Sequence, residues 1–281
     1  MKIIKNESLK KYVNYKIGGL TPRLYILEAI KDVDSIPSED LKNGYILGAG
    51  TNILVSSDGV DKPVIKNDIK GFEFDNKSLI LKVGAGEILD SVCKRTIELG
   101  FAGLFHVSSI PGTVGGGIVM NCGASHGAIS ENLIDVTVVR RIDGKIIVFK
   151  KEDCGFKFRN SIFQNNEYLI LEARFKLKKP SINMIEIYNE AHKKRRKTYP
   201  LIFPSAGCWF KKPWGGWKII EKIGMVGKWS GGAVTSPMFP AFILNTGSAS
   251  SDDVIGLVKE IQDKAKAIGE KMPCEIIIWK K

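Results

Sequence analysis

Short apolar runs separated by turn residues dominate the first half of the chain. RLYILEA, GYILGAG, KPVIKN and SLILKVGAG are rich in apolar and β-branched residues and are bounded by turn residues, which is typical of strands. Three later runs, IDVTVVRRID, GKIIVFKK and YLILEARFKLKK, continue the pattern. The last of them alternates along its length and predicts a long strand.

Apolar positions at helical spacing predict three helices. The segments at 87–100, 183–197 and 250–269 each repeat their apolar residues near the helical period. The last of these begins with two serines that can cap a helix, followed by acidic residues in its first turn. Residues 103–127 are mostly Gly, Ser, Pro and small apolar residues and are predicted as loops, whereas 274–281 predicts a strand. The layout is mixed α and β, with a boundary near 180–200.

The composition is that of a globular protein. Of 281 residues, 44% are apolar and 26% are charged, and this length allows one large domain or two to three smaller ones. No apolar run approaches the ~20 residues of a membrane helix, and the N-terminus lacks the apolar core of a secretory signal. We therefore expect a cytoplasmic protein without membrane insertion. The sequence does not determine the oligomeric state, and a monomer is assumed.

Cysteine and histidine are too scattered for a metal site. The five cysteines include no CxxC pair, and the three histidines form no HExxH motif. We expect reduced thiols and no metal.

The net charge of +12 raises the question of a polyanionic partner. Nucleic acid is one candidate, and a phosphorylated cofactor and substrate are another. Most lysines are dispersed, and the KKRRK run at 193–197 is interpreted as an exposed helix end.

Three glycine-rich stretches follow strand-like runs. They are GAGTN at 48–52, VGAG at 83–86 and IPGTVGGG at 110–117. Glycines let a backbone approach a ligand closely and present N–H groups to phosphate oxygens. None completes a dinucleotide fingerprint or a P-loop. Together they indicate a non-Rossmann site for a large phosphate-bearing cofactor.

The order of several longer motifs resembles one enzyme family. KIGG, GAGTNILV, IPGTVGGGIVMNCGA, FRNSIF, SAGCWFKKP, GKWSGGAVTS, AFILNTGSAS and PCEIIIW occur along nearly the whole chain. In that order and spacing they resemble the UDP-N-acetylenolpyruvoylglucosamine reductase family, in its shorter (type II) form. The resemblance implies an NADPH-dependent FAD oxidoreductase that reduces UDP-N-acetylglucosamine enolpyruvate to UDP-N-acetylmuramate in peptidoglycan precursor synthesis.

The resemblance also implies the architecture. The expected class is α+β, with a vanillyl-alcohol-oxidase-like FAD-binding fold and a C-terminal α/β substrate-binding domain. The expected parts are two FAD-binding subdomains at 1–66 and 67–195, a substrate-binding domain at 196–268, and a C-terminal strand at 269–281 that completes the active site.

By the same resemblance, FAD is bound non-covalently along the first and third glycine-rich stretches, with backbone amides carrying much of the diphosphate. The implied cofactor residues are Gly48, Ala49, Gly50, Thr51, Asn52, Ile110, Pro111, Gly112, Thr113, Gly115, Gly116, Asn121 and Gly123. The basic residues implied near the UDP-sugar are Arg195, Arg196 and Lys212. His126 is a weak cue for covalent attachment of the flavin, which is not expected.

The implied chemistry requires the protein to stabilise a carboxylate and to donate a proton. Hydride reaches the vinyl carbon from the flavin, so negative charge develops on the substrate carboxylate and the neighbouring carbon must gain a proton. Arg159 matches the family arginine that engages the carboxylate, and Glu275 the glutamate that assists it. Cys208 stands where the family usually has serine and is expected to donate the proton, because a thiol is far more acidic than an alcohol.

Two alternatives remain open at this stage. Lys212 replaces an asparagine of the family pattern and Met238 replaces a histidine, which keeps open a paralogous FAD oxidoreductase with a different substrate. A basic nucleic-acid-binding protein without redox activity is the other reading, although no recognisable nucleic-acid module is present.

Overall fold

The chain forms two compact units. The computed structural model describes residues 1–124, 127–180 and 183–281, with the side chain of Trp214 left out. The first unit comprises Met1–Lys5, Arg23–Ala49 and Lys62–Lys194. The second comprises Asn6–Pro22, Gly50–Asp61 and Arg195–Lys281.

Strands and helices alternate irregularly along the described residues. The α-helices are α1 (Ser38–Asn43), α2 (Leu89–Glu98), α3 (Val114–Val119), α4 (Met184–Thr198), α5 (Trp217–Lys222) and α6 (Ser251–Ala267). The strands are β1 (Lys2–Ser8), β2 (Leu20–Leu27), β3 (Tyr45–Leu47), β4 (Ile53–Val55), β5 (Val64–Asn67), β6 (Phe72–Asp75), β7 (Ile80–Gly84), β8 (Gly123–Ala124), β9 (Gly127–Ala128), β10 (Leu133–Arg140), β11 (Ile146–Lys150), β12 (Tyr168–Lys176), β13 (Trp229–Ser230), β14 (Ala233–Thr235), β15 (Ile243–Asn245) and β16 (Ile277–Trp279).

The first unit is built around an antiparallel sheet with the strand order β11-β10-β12-β7-β6. Inward-facing residues of these strands join the buried face of α2 in one apolar core, because both elements have one apolar side to bury. A second sheet has the order β1-β2-β5-β3, in which β2 and β3 run parallel to β5. The predicted strands of the first half and the helix at 87–100 are therefore confirmed.

The second unit packs α6 against the short sheet β13-β14-β15, and β16 pairs in parallel with β4. Ser250 caps α6 by accepting a hydrogen bond from the amide of Asp253, as the serine and acidic pattern predicts. At the centre of the core, the indole N–H of Trp209 donates to the hydroxyl of Tyr15, which in turn donates to the Ile243 carbonyl. Burial of this hydroxyl raises the pKa of Tyr15.

The prediction that 103–127 consists of loops is wrong where α3 occupies Val114–Val119 and where the short strands β8 and β9 pair. Glycine disfavours helices by about 1 kcal/mol per residue, yet three consecutive glycines lie in this one. Packing explains two of them. A Cβ on Gly115 would lie 3.0 Å from the Cβ of Ala85, and a Cβ on Gly117 would lie 3.0 Å from the Cys122 sulfur. Glycine therefore lowers the helix propensity of this segment but allows Ala85 and Cys122 to pack closely against it.

A buried arginine joins the C-terminal end of α1 to the segment that precedes β12. Arg141 is only 2% exposed, and its guanidinium donates to the carbonyl oxygens of Leu41, Gly44 and Asn166. Burial lowers the pKa of Arg141 to about 10. Neutral carbonyl groups, rather than a carboxylate, satisfy this charge, so its removal would leave three backbone acceptors without a partner.

We predict that Arg141→Met lowers the free energy of unfolding by about 3 kcal/mol, since each orphaned carbonyl costs about 1 kcal/mol or more. Chemical denaturation followed by circular dichroism measures the change. The control is Arg140→Met, which removes the exposed arginine that pairs with Asp143 and should change stability little. Equal effects of the two substitutions would contradict this interpretation.

Candidate active site

One of the three glycine-rich stretches is structural. In VGAG, the amides of Gly84, Ala85 and Gly86 donate to the carbonyls of Gly71, Leu171 and Ile69. A Cβ on Gly84 would lie 2.5 Å from the Ile69 oxygen. These glycines therefore allow close backbone packing, and their amides are not available to a ligand.

The other two glycine-rich stretches meet in the first unit. Gly48 follows β3, and a Cβ at this position would lie 2.6 Å from the Thr113 hydroxyl oxygen. Any other residue at position 48 would push the two segments apart. The structure thus brings together Gly48 and Thr113, two of the predicted cofactor residues.

The amides of the second of these loops are unequally available. Those of Val114 and Gly115 donate to the carbonyls of Glu87 and Ala85, and those of Gly116 and Gly117 donate to Thr113. Ile110 donates to the Val107 carbonyl, while Pro111 has no N–H to offer. Within the described ranges, the amides of Gly112 and Thr113 have no such acceptor. The amides of this loop that have no backbone acceptor among the described residues are therefore the two that immediately precede α3.

Arg159 lies against the end of this loop. Its guanidinium donates to the Gly123 carbonyl at 2.7 Å and reaches the Asn121 carbonyl at 3.5 Å. Arg159 has a φ of +50° and Asn121 a φ of +41°, a region that non-glycine residues rarely occupy. Such strain persists where the surrounding contacts enforce it and is enriched at functional sites.

The contacts that enforce it join the FRNSIF segment to the C-terminus of α3. The Ser161 hydroxyl and the Gln164 amide both donate to the Val119 carbonyl, and the Gln164 amide also donates to the Arg159 carbonyl. The side-chain amide of Asn121 donates to the Lys157 carbonyl at 3.0 Å. The guanidinium is thereby fixed beside the predicted cofactor loop.

In the second unit, the rest of the first glycine loop supports the segment that contains Glu275. Gly50 has a φ of +66° and packs so tightly that a Cβ would lie 2.6 Å from the Tyr12 oxygen. Asn52 donates through its side chain to the Glu275 carbonyl and accepts at its own carbonyl from the Ile277 amide. Thr51, which lies between Gly50 and Asn52 in the sequence, is half-buried. Asn52 therefore has a structural role that its motif does not reveal.

Cys208 and Glu275 lie on paired segments of the second unit. The Glu275 amide donates to the carbonyl of Trp209, the neighbour of Cys208, at 2.7 Å. Both residues are half-buried. The side chain of Cys208 packs on Gly215, where a Cβ would lie 2.9 Å from the Cys208 Cβ. Glu275 precedes β16 by two residues, so the interpretation of Glu275 as a residue of the strand itself is wrong.

The predicted basic residues of the second unit have protein contacts. The Lys212 ammonium lies 2.9 Å from a carboxylate oxygen of Glu270. The Arg195 guanidinium lies 5.2 Å from the centre of the Tyr199 ring, which stacks on Phe242. Arg196 is exposed near the end of α4. The helix end predicted for the basic run is confirmed.

Asp90 joins three elements of the first unit. One of its carboxylate oxygens accepts from the Ser109 amide at 2.6 Å, and the other accepts from the Tyr188 hydroxyl at 2.9 Å. His192 Nε2 lies 3.0 Å from the carboxylate. Ser109 has a φ of +62° and immediately precedes Ile110. Because the partners lie 98 and 102 residues from Asp90, no local pattern announces this contact.

Two family models match separate parts of the chain and define the class of protein. Residues 31–150 match the model of an FAD-binding domain, and residues 199–279 match that of the C-terminal domain of UDP-N-acetylenolpyruvoylglucosamine reductase. The chain is a flavoprotein oxidoreductase of mixed α and β structure, which confirms the predicted fold class of an FAD-binding fold followed by a C-terminal domain.

Full-length relatives make the assignment specific. The chain is 36% identical to the UDP-N-acetylenolpyruvoylglucosamine reductase of Fervidobacterium nodosum over 98% of this chain and 91% of that protein. It is 35% identical to the one from Pseudothermotoga lettingae over 98% and 96%. The crystal structure of the reductase (MurB) from Thermus caldophilus matches with a TM-score of 0.82 and 29% identity, over 99% of this chain and 98% of that chain.

The chain belongs to the UDP-N-acetylenolpyruvoylglucosamine reductase family. It is an FAD enzyme of peptidoglycan precursor synthesis that acts on a UDP-sugar, with NADPH as reductant. Across the described ranges, no helix is both long and apolar enough to span a membrane.

The residues of the first unit fit FAD. The Asn121 side-chain oxygen is buried and has no hydrogen-bond partner among the described residues, so it can accept from a bound group. The side-chain-free surface at Gly48 lies directly beside the Thr113 hydroxyl. His126, the weak cue for covalent attachment, lies outside the described residues.

We predict that Asp90→Ala lowers the free energy of unfolding by about 2 kcal/mol, because it leaves the Ser109 amide and the Tyr188 hydroxyl without their acceptor. The altered path into Ile110 should also weaken retention of FAD. Chemical denaturation and fluorescence of released flavin measure the two effects. The control is Asp153→Ala, which removes an exposed carboxylate of the same unit. A variant that unfolds and holds flavin like the parent would show that the contact is incidental.

Proposed function

We propose that Arg159, Cys208 and Glu275 perform the catalytic steps of this reductase. Bound FAD would supply the transfer of hydride from NADPH to the enolpyruvyl group, while the protein binds the substrate carboxylate and donates a proton. The observation that carries the proposal is the conformation of Arg159, whose positive φ is held by hydrogen bonds on both sides of the residue. Strain of about 1–3 kcal/mol persists only where surrounding contacts enforce it, and such residues cluster at active sites.

Arg159 binds the substrate carboxylate in this proposal. A planar guanidinium matches a carboxylate with two parallel hydrogen bonds, which an ammonium cannot do. Two carbonyl contacts orient the group. The positive charge therefore stabilises the negative charge that develops on the carboxylate as hydride arrives.

Cys208 donates the proton. The thiol lies in a segment held by the Trp209 amide, which donates to the Ala241 carbonyl, and it packs on a glycine where a larger side chain would displace it. Its partial exposure is compatible with proton exchange. Glu275 assists polarisation of the carboxylate, and Asn52 holds the backbone of Glu275 in place.

The cofactor and substrate contacts are assigned in the same way. We propose that FAD contacts the two loops at 48–52 and 110–116 together with Asn121 and Gly123, with the amides of Gly112 and Thr113 directed to its diphosphate. Arg195, Arg196 and Lys212 bind the diphosphate of the UDP-sugar. Lys212 must then exchange Glu270 for the substrate. Glu270 is 42% exposed, so the exchange costs little.

We further propose the division into two FAD-binding subdomains at 1–66 and 67–195, a substrate-binding domain at 196–268 and a closing segment at 269–281. The protein acts in the cytoplasm as a monomer, without nucleic acid as a partner.

We predict that Cys208→Ala leaves reduction of the flavin by NADPH intact and slows its reoxidation by the enolpyruvyl UDP-sugar by about 100- to 10,000-fold, the usual contribution of a proton donor. Cys208→Ser should restore part of the rate. Stopped-flow absorbance of the flavin separates the two half-reactions.

The matched control is Cys274→Ala, which removes the other half-buried cysteine of the described chain. Burial raises the pKa of Cys274, and Gln262 contacts its sulfur, so a structural effect alone is expected from its loss. Normal reoxidation in Cys208→Ala would refute the proton-donor role and leave the family assignment untouched.

A further inference from the structure

A lysine lies at the base of the first glycine loop. Lys66 belongs to β5 and pairs in register with Leu47, the last residue of β3. Its ammonium donates to the carbonyl of Gly48 at 3.3 Å. No motif of the sequence marks this residue.

The ammonium of Lys66 is partly removed from water, and the nearby Asp68 carboxylate offsets that cost only in part, because the pKa of Lys66 stays lowered. The residue is half-buried, and burial lowers the pKa of Lys66. Asp68, the acidic residue nearest to it in sequence, lies 3.0 Å from the Lys70 ammonium instead. Among the described residues, Lys66 forms no ion pair. A desolvated cation is unfavourable unless a partner compensates it.

The surroundings of Lys66 point to an anion from outside the chain. Gly48, the acceptor of its hydrogen bond, is also the residue whose missing Cβ admits the Thr113 hydroxyl. The segments 48–52 and 110–124 contain no lysine or arginine. Their backbone offers dipoles, whereas the diphosphate of FAD carries full negative charges. Lys66 brings a full positive charge to the place where these segments meet.

We propose that Lys66 is a cofactor-binding residue whose ammonium pairs with the diphosphate of FAD while it remains anchored to the Gly48 carbonyl. The inference rests on the proposed placement of FAD along the two loops. The family resemblance implies that backbone amides bind much of the diphosphate, whereas here the Lys66 side chain binds part of it. The negative charge of bound FAD then takes the place of the water that the buried ammonium has lost.

The test measures FAD affinity directly. The holoenzyme is stripped of flavin and titrated with FAD, with quenching of flavin fluorescence as the readout. Lys66→Met should raise the dissociation constant about 10- to 100-fold, the usual worth of a charge-assisted hydrogen bond. Lys66→Arg keeps the charge and should stay within about threefold of the parent. The control is Lys150→Met, which removes an exposed lysine from β11 of the same unit.

A salt titration separates charge pairing from mere positioning of Gly48. Affinity of the parent should fall as salt rises, and the fall should be shallower for Lys66→Met, since an ion pair is screened and a carbonyl contact is not. Thermal unfolding of the stripped proteins verifies that the variant is folded. If Lys66→Met is not folded, the salt dependence of FAD affinity is compared among the parent, Lys66→Arg and Lys150→Met. Salt-independent binding of FAD by all three proteins would overturn the proposal.

Equal affinity of Lys66→Met and the parent, or equally weak binding by the arginine and methionine variants, would also overturn the role of Lys66. Neither result would affect the proposed function. A parent protein that binds no FAD would instead contradict the function itself, so the two failures are distinguishable.

Discussion

Close approach of backbone to backbone, without intervening side chains, is the constraint on which the first unit depends. Gly84 and Gly86 allow the VGAG segment to lie on the chain at 68–71, and Gly48 admits the Thr113 hydroxyl. A single Cβ at any of these points would meet an atom at 2.5–2.6 Å, well inside the distance of a normal contact. The glycines therefore serve first as packing positions. Exposure of a few amides to a ligand is a consequence of that packing.

A second consequence is that the glycine loops offer backbone dipoles, whereas other segments supply the positive charges. The segments 48–52 and 110–124 contain no lysine or arginine, so each cation must come from an adjoining segment. Arg159 comes from the FRNSIF segment and is held on the carbonyls of Asn121 and Gly123. Lys66 comes from β5 and is held on the carbonyl of Gly48. In both cases a backbone carbonyl oxygen accepts a hydrogen bond from the cation and orients it.

Much of this architecture follows from the sequence because it depends on local patterns. The helix at 87–100, the strands of the large sheet and the Ser250 cap of α6 each have a signal within a few residues. Helix α3 was missed because its glycines oppose helix formation locally and are favoured only by Ala85 and Cys122, which come from elsewhere in the fold. The contacts of Asp90 and the double role of Asn52 join residues about one hundred or more positions apart. Motif order could identify the candidate site, but only tertiary contacts show what holds it.

In this enzyme the flavin passes reducing equivalents to an enolpyruvyl UDP-sugar. The most direct measurement is the visible spectrum of the purified enzyme, reduced with one equivalent of NADPH without oxygen and then mixed with UDP-N-acetylglucosamine enolpyruvate. We expect the absorbance of oxidised FAD to disappear with NADPH and to return in full with the substrate. A protein whose flavin is reduced but stays reduced in the presence of that substrate would contradict it.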